Sequence, residues 1–269
     1  MSTNLKLNKK KNVQQALESL IHVHEVDPKL VNDKNVHVQI TMGKKMGITK
    51  DYVPRIIPLS SKMTTPSQLN ILLVTKDPSQ FYKETLSNDA NTSEMFKEII
   101  SVKNLKKRFR GAKLNQLYKD FDLIVADFRV HHLLPAILGN KFYNSNKKLP
   151  FVVKLSRAEK LRFQKQKEEC DPKYVRAQIR SICKNTSYVP NNDNLVSVKI
   201  GIFGKHTVEE MMENINDVVT FLSDKSKKPQ GGVIKGGVSS VFVKSSNSAS
   251  LPIYERPQEI ESKKQLPLL

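Results

Sequence analysis

Cysteine is nearly absent from this 269-residue chain: Cys170 and Cys183 stand without a second cysteine or histidine pair near them. A disulfide framework and a structural zinc site both lack their residues, and a reducing compartment is the expected setting. Long hydrophobic runs are missing too. Nowhere do about 18 apolar residues follow one another, the length a membrane-crossing helix needs. The N-terminal stretch carries Lys6, Lys9, Lys10 and Lys11 where a secretory signal would carry an apolar run. Neither a membrane nor export is expected. Acid is the third scarcity, with 26 Asp and Glu against 45 Lys and Arg, a formal surplus of +19. That exceeds what solubility requires and points to a polyanionic partner. With 38% apolar residues the chain has material for folded cores, so the charge is carried by structure rather than by a disordered basic tail. Its length favours two domains.

Catalytic constellations are equally scarce, and no enzyme is expected. Met42-Gly43-Lys44-Lys45-Met46-Gly47 lacks the glycine spacing and the Ser/Thr of a nucleotide phosphate loop. Gly231, Gly232, Gly236 and Gly237 follow a helix and precede a strand, the reverse of the dinucleotide-binding order. His22 and His24 are spaced so that a helix turns them apart, and the adjacent His131 and His132 are no better placed to share a ligand. No metal, cofactor or small-molecule substrate is expected.

What is present is a change of pattern along the chain. Ile71-Leu72-Leu73-Val74, Leu123-Ile124-Val125-Ala126 and Phe151-Val152-Val153 are continuous apolar runs separated by helix-length spacers. They predict a parallel sheet covered on both faces. Val36 to Ile40 and Val196 to Ile200 instead alternate apolar with polar residues, which predicts strands with one wet face. The same alternation returns at Val241-Phe242-Val243. Between them, Val208, Met211, Met212, Ile215, Val218, Val219 and Leu222 fall on a helical stripe, and Thr207 with Glu210 offers its capping box. The expected architecture is α/β in the broad sense: a split α+β domain (12–66 and 157–255) with an inserted α/β domain (67–156). Residues 1–11 are expected to form a disordered basic N-terminus and 256–269 a flexible tail.

The basic residues cluster. Lys103, Lys106, Lys107, Arg108, Arg110 and Lys113 lie within eleven residues without an acid, and from Lys225 to Tyr254 there are five lysines and no acid. The first cluster suits a solvated helix face, a nuclear-import signal or an RNA contact. The second combines lysines with four of the chain's ten glycines and the run Ser245-Ser246-Asn247-Ser248. Its glycines suit either a hairpin-like connection or close approach to a ligand, and lysines beside hydroxyls and amides favour the second.

Several stretches resemble one family. Phe121 to Asp127 followed by Leu138-Gly139, then Gly204-Lys205-His206, Glu213-Asn214-Ile215, and Lys228-Pro229 leading to Lys235-Gly236 and Val241-Phe242-Val243 are similar to the ribosomal protein L-one family of two-domain RNA-binding proteins. Where ribosomal members carry Ser-Thr-Met-Gly-Pro, this chain has Ser245 to Pro252. Together with Pro54-Arg55-Ile56-Ile57-Pro58-Leu59, Phe128 to Pro135, Ser187 to Asn194 and Ser250 to Tyr254, that difference resembles the fungal nucleolar branch of ribosome-assembly proteins, of the small-subunit-processome, U-three-protein type. The resemblance implies a split α+β domain with a Rossmann-like insert, and pre-ribosomal RNA and pre-ribosome assembly proteins as partners in the nucleolus. It carries RNA contacts to Lys205, Lys228 and the strand exit Ser245, Ser246, Asn247 and Ser248. Lys235 and Lys244 join them from the acid-free stretch, and Lys106, Lys107, Arg108 and Arg110 form a secondary basic surface. Two alternatives stay open: a large-subunit precursor factor bound to the internal transcribed spacer, or a protein-interaction scaffold in nucleolar particles.

Overall fold

The computed structural model describes residues 10–143, 148–157 and 170–257. Its elements, in chain order, are α1 (Lys10–Val26), β1 (Asn35–Lys44), β2 (Arg55–Ile57), β3 (Ile71–Thr75), α2 (Gln80–Asn88), β4 (Glu98–Ser101), α3 (Val102–Arg108), α4 (Lys113–Asp120) and β5 (Leu123–Asp127). There follow α5 (Leu134–Leu138), α6 (Asn140–Tyr143), β6 (Phe151–Val153), α7 (Pro172–Lys184), β7 (Thr186–Tyr188), β8 (Leu195–Ile202), α8 (Val208–Ser223), β9 (Lys235–Lys244) and β10 (Leu251–Glu255).

The two sequence patterns sort into two four-stranded sheets. The alternating strands form an antiparallel sheet in the order β10-β9-β1-β8, so β1 from the N-terminal part lies between β8 and β9 from the C-terminal part. Val36, Val38 and Ile40 of β1, Val196, Val198 and Ile200 of β8, and Val241 and Val243 of β9 turn to one side. There they meet Val13, Leu17 and Leu20 of α1 and Met211, Ile215, Val218 and Leu222 of α8, closing one core. Thr207 caps α8 as expected: its hydroxyl accepts from the Glu210 N–H, and the Glu210 carboxylate accepts from the Thr207 N–H at 2.9 Å.

The apolar runs form a parallel sheet in the order β4-β3-β5-β6. All five residues of β3 are buried, because successive side chains enter two different cores. Leu72 and Val74 join α3, α4, α5 and α6 on one face. Ile71 and Leu73 join α2 and α7 on the other. The arrangement is a three-layer, Rossmann-like unit within a mixed α/β fold.

Four strands escaped the sequence pattern. β4 carries only two apolar residues, β10 contains Pro252, and β2 and β7 are three-residue strands that pair with each other. Helix α7 lies beyond residue 156, yet Val175, Ile179, Ile182 and Cys183 pack under the parallel sheet. Burial in this core pushes the Cys183 thiol up to about 11, as suits a packing residue. Of the stretch 1–11, residues 1–9 lie outside the described residues, while Lys10 and Lys11 open α1 rather than a disordered segment. Of the tail 256–269, residues 258–269 lie outside them as well.

Candidate nucleic-acid interface

Helices α1 and α8 pack on one face of the antiparallel sheet, and alternation leaves the other face to polar and charged side chains. His37 on β1 stands opposite Lys199 of β8 on one side and Lys244 of β9 on the other. The three residues form a row across the sheet. Two strand spacings place the Lys199 and Lys244 backbones about 10 Å apart. The next row runs Ser197, Gln39 and Phe242, with Phe242 partly exposed, so an aromatic ring lies beside the cations. Burial pulls the Lys199 amine below its ordinary value, and Lys205 nearby adds to the fall. A phosphate brought to this row would relieve both costs, because an opposite charge favours the protonated amine.

At the same end of the sheet, the turn from β9 to β10 is fastened by one buried carboxylate. Asp33, 6% exposed, accepts from the Ser245 hydroxyl at 2.6 Å and from the Asn247 N–H at 2.8 Å through Oδ2, and from Asn247 Nδ2 at 2.8 Å through Oδ1. Burial raises the Asp33 pKa, but the Ser245 and Asn247 hydrogen bonds outweigh it and hold the carboxyl below its ordinary 3.8. The Ser245 N–H donates to Ser248 Oγ at 2.8 Å, and the Ser248 N–H donates to Ser245 Oγ at 3.1 Å. Asp33 is itself held, since its carbonyl hydrogen-bonds His24 Nε2 at 2.8 Å and the His24 ring stacks on Phe203 at 3.9 Å. Three of the four contacts expected at this strand exit, Ser245, Asn247 and Ser248, thus commit their side chains to the turn. Ser246 stands exposed at its tip.

Lys205 belongs to this end. It sits in the turn between β8 and α8, where the Ile202 N–H donates to His206 Nδ1 at 3.1 Å and His206 Nε2 donates to the Lys62 carbonyl at 3.0 Å. The Lys205 amine reaches Gln68 Oε1 at 3.0 Å. Lys228 and Lys235 belong to the opposite end. Lys235 opens β9 across from Lys44, and its amine donates to the Met46 carbonyl at 2.6 Å. Lys228 is exposed in the loop after α8, a loop held by Arg55 donating to the Pro229 carbonyl at 2.7 Å and the Tyr188 hydroxyl donating to the Gln230 carbonyl at 2.6 Å. The ten residues of β9 put about 30 Å between the two ends.

The glycines of this stretch bring chain against chain. A Cβ on Gly231 would lie 2.5 Å from the Phe221 carbonyl oxygen, and one on Gly43 would lie 2.5 Å from that of Gly236. Close approach is required, as the glycines suggested, but of the loop to α8 and of β1 to β9. Lys106, Lys107 and Arg108 form the last turn of α3, where cations favour the helix dipole, and Arg110 Nε caps the Lys106 carbonyl at 2.9 Å. They lie on the parallel unit, apart from the sheet face.

Lys199, His37 and Asp33 were not singled out in the sequence, nor was exposed Lys34, which precedes β1. The alternation of β1 and β8 already put His37 and Lys199 on a wet face. Their alignment with Lys244 depends on register, which alternation does not specify. No group of His, Cys, Asp or Glu placed to hold a metal ion occurs among the described residues, and no described helix is long and apolar enough to cross a membrane.

Comparison with known proteins converges on this architecture. The chain is 60% identical over 252 residues to the Ribosome biogenesis protein UTP30 of Saccharomyces cerevisiae, spanning 93% of this chain and 92% of that protein. It is 28% identical over 223 residues to the Putative ribosome biogenesis protein C8F11.04 of Schizosaccharomyces pombe, spanning 82% of this chain and 54% of that one. It is 30% identical over 208 residues to the Ribosomal L1 domain-containing protein 1 of Mus musculus, spanning 74% of this chain and 40% of the mouse protein. The profile of the Ribosomal protein L1p/L10e family matches residues 5–249, nearly everything that builds both sheets, and the chain belongs to that family.

Proposed function

We propose that this protein is a non-enzymatic ribosome-biogenesis factor that binds pre-ribosomal RNA. The row Lys199, His37 and Lys244 on the open sheet face is the observation that carries this reading, with Lys205 and the Asp33-fastened turn beside it. Cations spaced along this half-buried row can neutralise phosphates, while Phe242 and the neighbouring hydroxyl and amide groups suit a base or a ribose hydroxyl. Similarity to UTP30 supports the biogenesis role, and the motifs from Pro54 to Leu59, Phe128 to Pro135 and Ser187 to Asn194 carry the finer reading, a place in the small-subunit processome of the nucleolus among assembly proteins. In this reading the split domain (12–66 and 157–255) binds the RNA, and the insert (67–156), which borrows α7 for its core, offers a second contact surface.

The test is a filter-binding titration of the protein against precursor RNA transcripts at increasing salt. Affinity should fall steeply, with a log–log slope that drops by about one for each phosphate-contacting lysine removed. A slope near zero would discard the phosphate mechanism. Crosslinking and sequencing of the bound RNA should place reads in the small-subunit part of the precursor, and reads confined to the internal spacer would move the protein to the large-subunit pathway.

A further inference from the structure

The parallel sheet ends on β4, which pairs with β3 on one side and with no described strand on the other. Each residue of a parallel strand directs its N–H and carbonyl to the same side, and the direction alternates along the strand. The Lys97 N–H donates to the Ile71 carbonyl at 3.0 Å, towards β3. By alternation, the backbone groups of Glu98 and Ile100 face outward. An open edge of this kind is a template for another strand, and proteins that keep such edges solitary cover them or stand charges over them. Here the guarding lysine is turned aside: Lys97 reaches the Asp120 carbonyl at 3.4 Å and lies over the Phe121 ring at 5.6 Å.

Two hollows flank this edge, and both are lined by Lys97 and Glu98. One, of about 340 Å³, lies on the side of α3 and α4 against Arg108, Phe109 and Lys113. The other, of about 180 Å³, lies on the α2 side against Lys83, Ser93 and Phe96. A strand added to β4 would send alternate side chains to opposite faces, one set into each hollow. The lining holds Lys83, Lys97, Arg108 and Lys113 against Glu98 and Asp120. Arg108 is already paired with Glu98, although the Arg108 side chain is 58% exposed. An incoming carboxylate can take Glu98's place on that guanidinium.

We propose that β4 is a docking edge for an extended acidic segment of a partner protein, which adds as a strand and places its carboxylates on Arg108 and Lys113. The outward backbone groups favour a peptide over a nucleic acid, because bases and phosphates do not reproduce the spacing of a strand ladder. This edge is separate from the row of Lys199, His37 and Lys244, so the two stand or fall alone, although Arg108 also belongs to the insert's basic surface.

Fluorescence anisotropy of the full chain with a labelled ten-residue peptide of alternating glutamate and valine tests the proposal. Methylating every second peptide nitrogen should weaken binding at least about tenfold, since it removes the ladder donors. Arg108→Glu with Lys113→Glu should weaken it about tenfold, whereas Glu98→Gln should tighten it about two- to threefold by releasing Arg108. Glu98→Pro removes an outward N–H and spares the bonds to β3, so it should melt close to the parent protein and lose the peptide. If that variant fails to fold, the methylated peptide still decides the matter on the unaltered protein. Equal binding of the methylated and unmethylated peptides would overturn the proposal. So would a uridine decamer whose binding is lost in the Arg108→Glu, Lys113→Glu protein while the peptide does not bind at all, which would make this face a nucleic-acid surface.

Discussion

The two four-stranded sheets of this molecule have opposite surroundings. β3 and β5 of the parallel sheet are pressed between helical layers, so nearly every side chain they carry is buried and their sequence is apolar up to the last residue, Thr75 and Asp127. Among the described residues, helices α1 and α8 cover the antiparallel sheet on one face only, and its strands turn every second residue to the other. A covered sheet leaves its function to its ends and edges, whereas a half-covered sheet has a whole face to use. The proposed sites follow that division. On the antiparallel sheet the proposed contacts lie within strands, at His37 and Lys199, and on the parallel sheet the outstanding feature is the outer edge of β4, which pairs with no described strand.

The largest expected effect tests the difference in burial directly. Leu73→Ala, at a fully buried site of the parallel sheet, should cost about 3–4 kcal/mol in urea denaturation, while Gln39→Ala on the open face should stay within about 0.5 kcal/mol. Similar costs at the two sites would mean that the open face is covered in solution. Next in size, Lys199→Glu with Lys244→Glu should lower affinity for precursor RNA about a hundredfold, or about 2.7 kcal/mol, in filter binding. The same reversal at Lys228 and Lys235, at the other end of the sheet, should cost about threefold. A reversed order would move the site along β9.

Asp33→Ala should cost about 1–3 kcal/mol, because the Ser245 hydroxyl and the Asn247 N–H lose their acceptor, and RNA affinity should fall about tenfold as the turn loosens. Since the folded carboxyl is held below 3.8, its contribution is fully present above that pH and is lost as pH falls through the folded value. Acid titration followed by circular dichroism should therefore show a stability loss below 3.8 that the variant lacks. Smallest is Lys199→Met, which removes a charge that burial disfavours. It should raise Tm by about 2–4 °C while weakening RNA binding, a gain in stability at the expense of function. A variant that binds RNA as the parent does would remove Lys199 from the interface.

Much of the fold was legible because it is written in local periodicity. The apolar runs at Ile71 and Leu123, the alternation at Val36 and Val196, and the stripe from Val208 to Leu222 each became the element their pattern specifies. β4 was not legible, since Glu98-Ile99-Ile100-Ser101 is too short to display a period and exists because β3 lies beside it. Nor was the allegiance of α7 legible, because an amphipathic stripe says that a face is buried and not beneath which sheet.

The candidate site divides in the same way. The basic surplus and the acid-free stretch from Lys225 to Tyr254 are properties of composition, and they suffice to raise the expectation of an anionic partner. Tertiary structure decided which of those residues lie together. It separated Lys228 and Lys235 from Lys205 and Lys244 by the length of a strand, drew Ser245, Asn247 and Ser248 into a turn around Asp33, and set Lys199 and His37 in line with Lys244. The physical reason is range: periodicity and charge are carried by neighbours along the chain, whereas a row across a sheet is made by register between strands more than 150 residues apart, and nothing in any single strand encodes it.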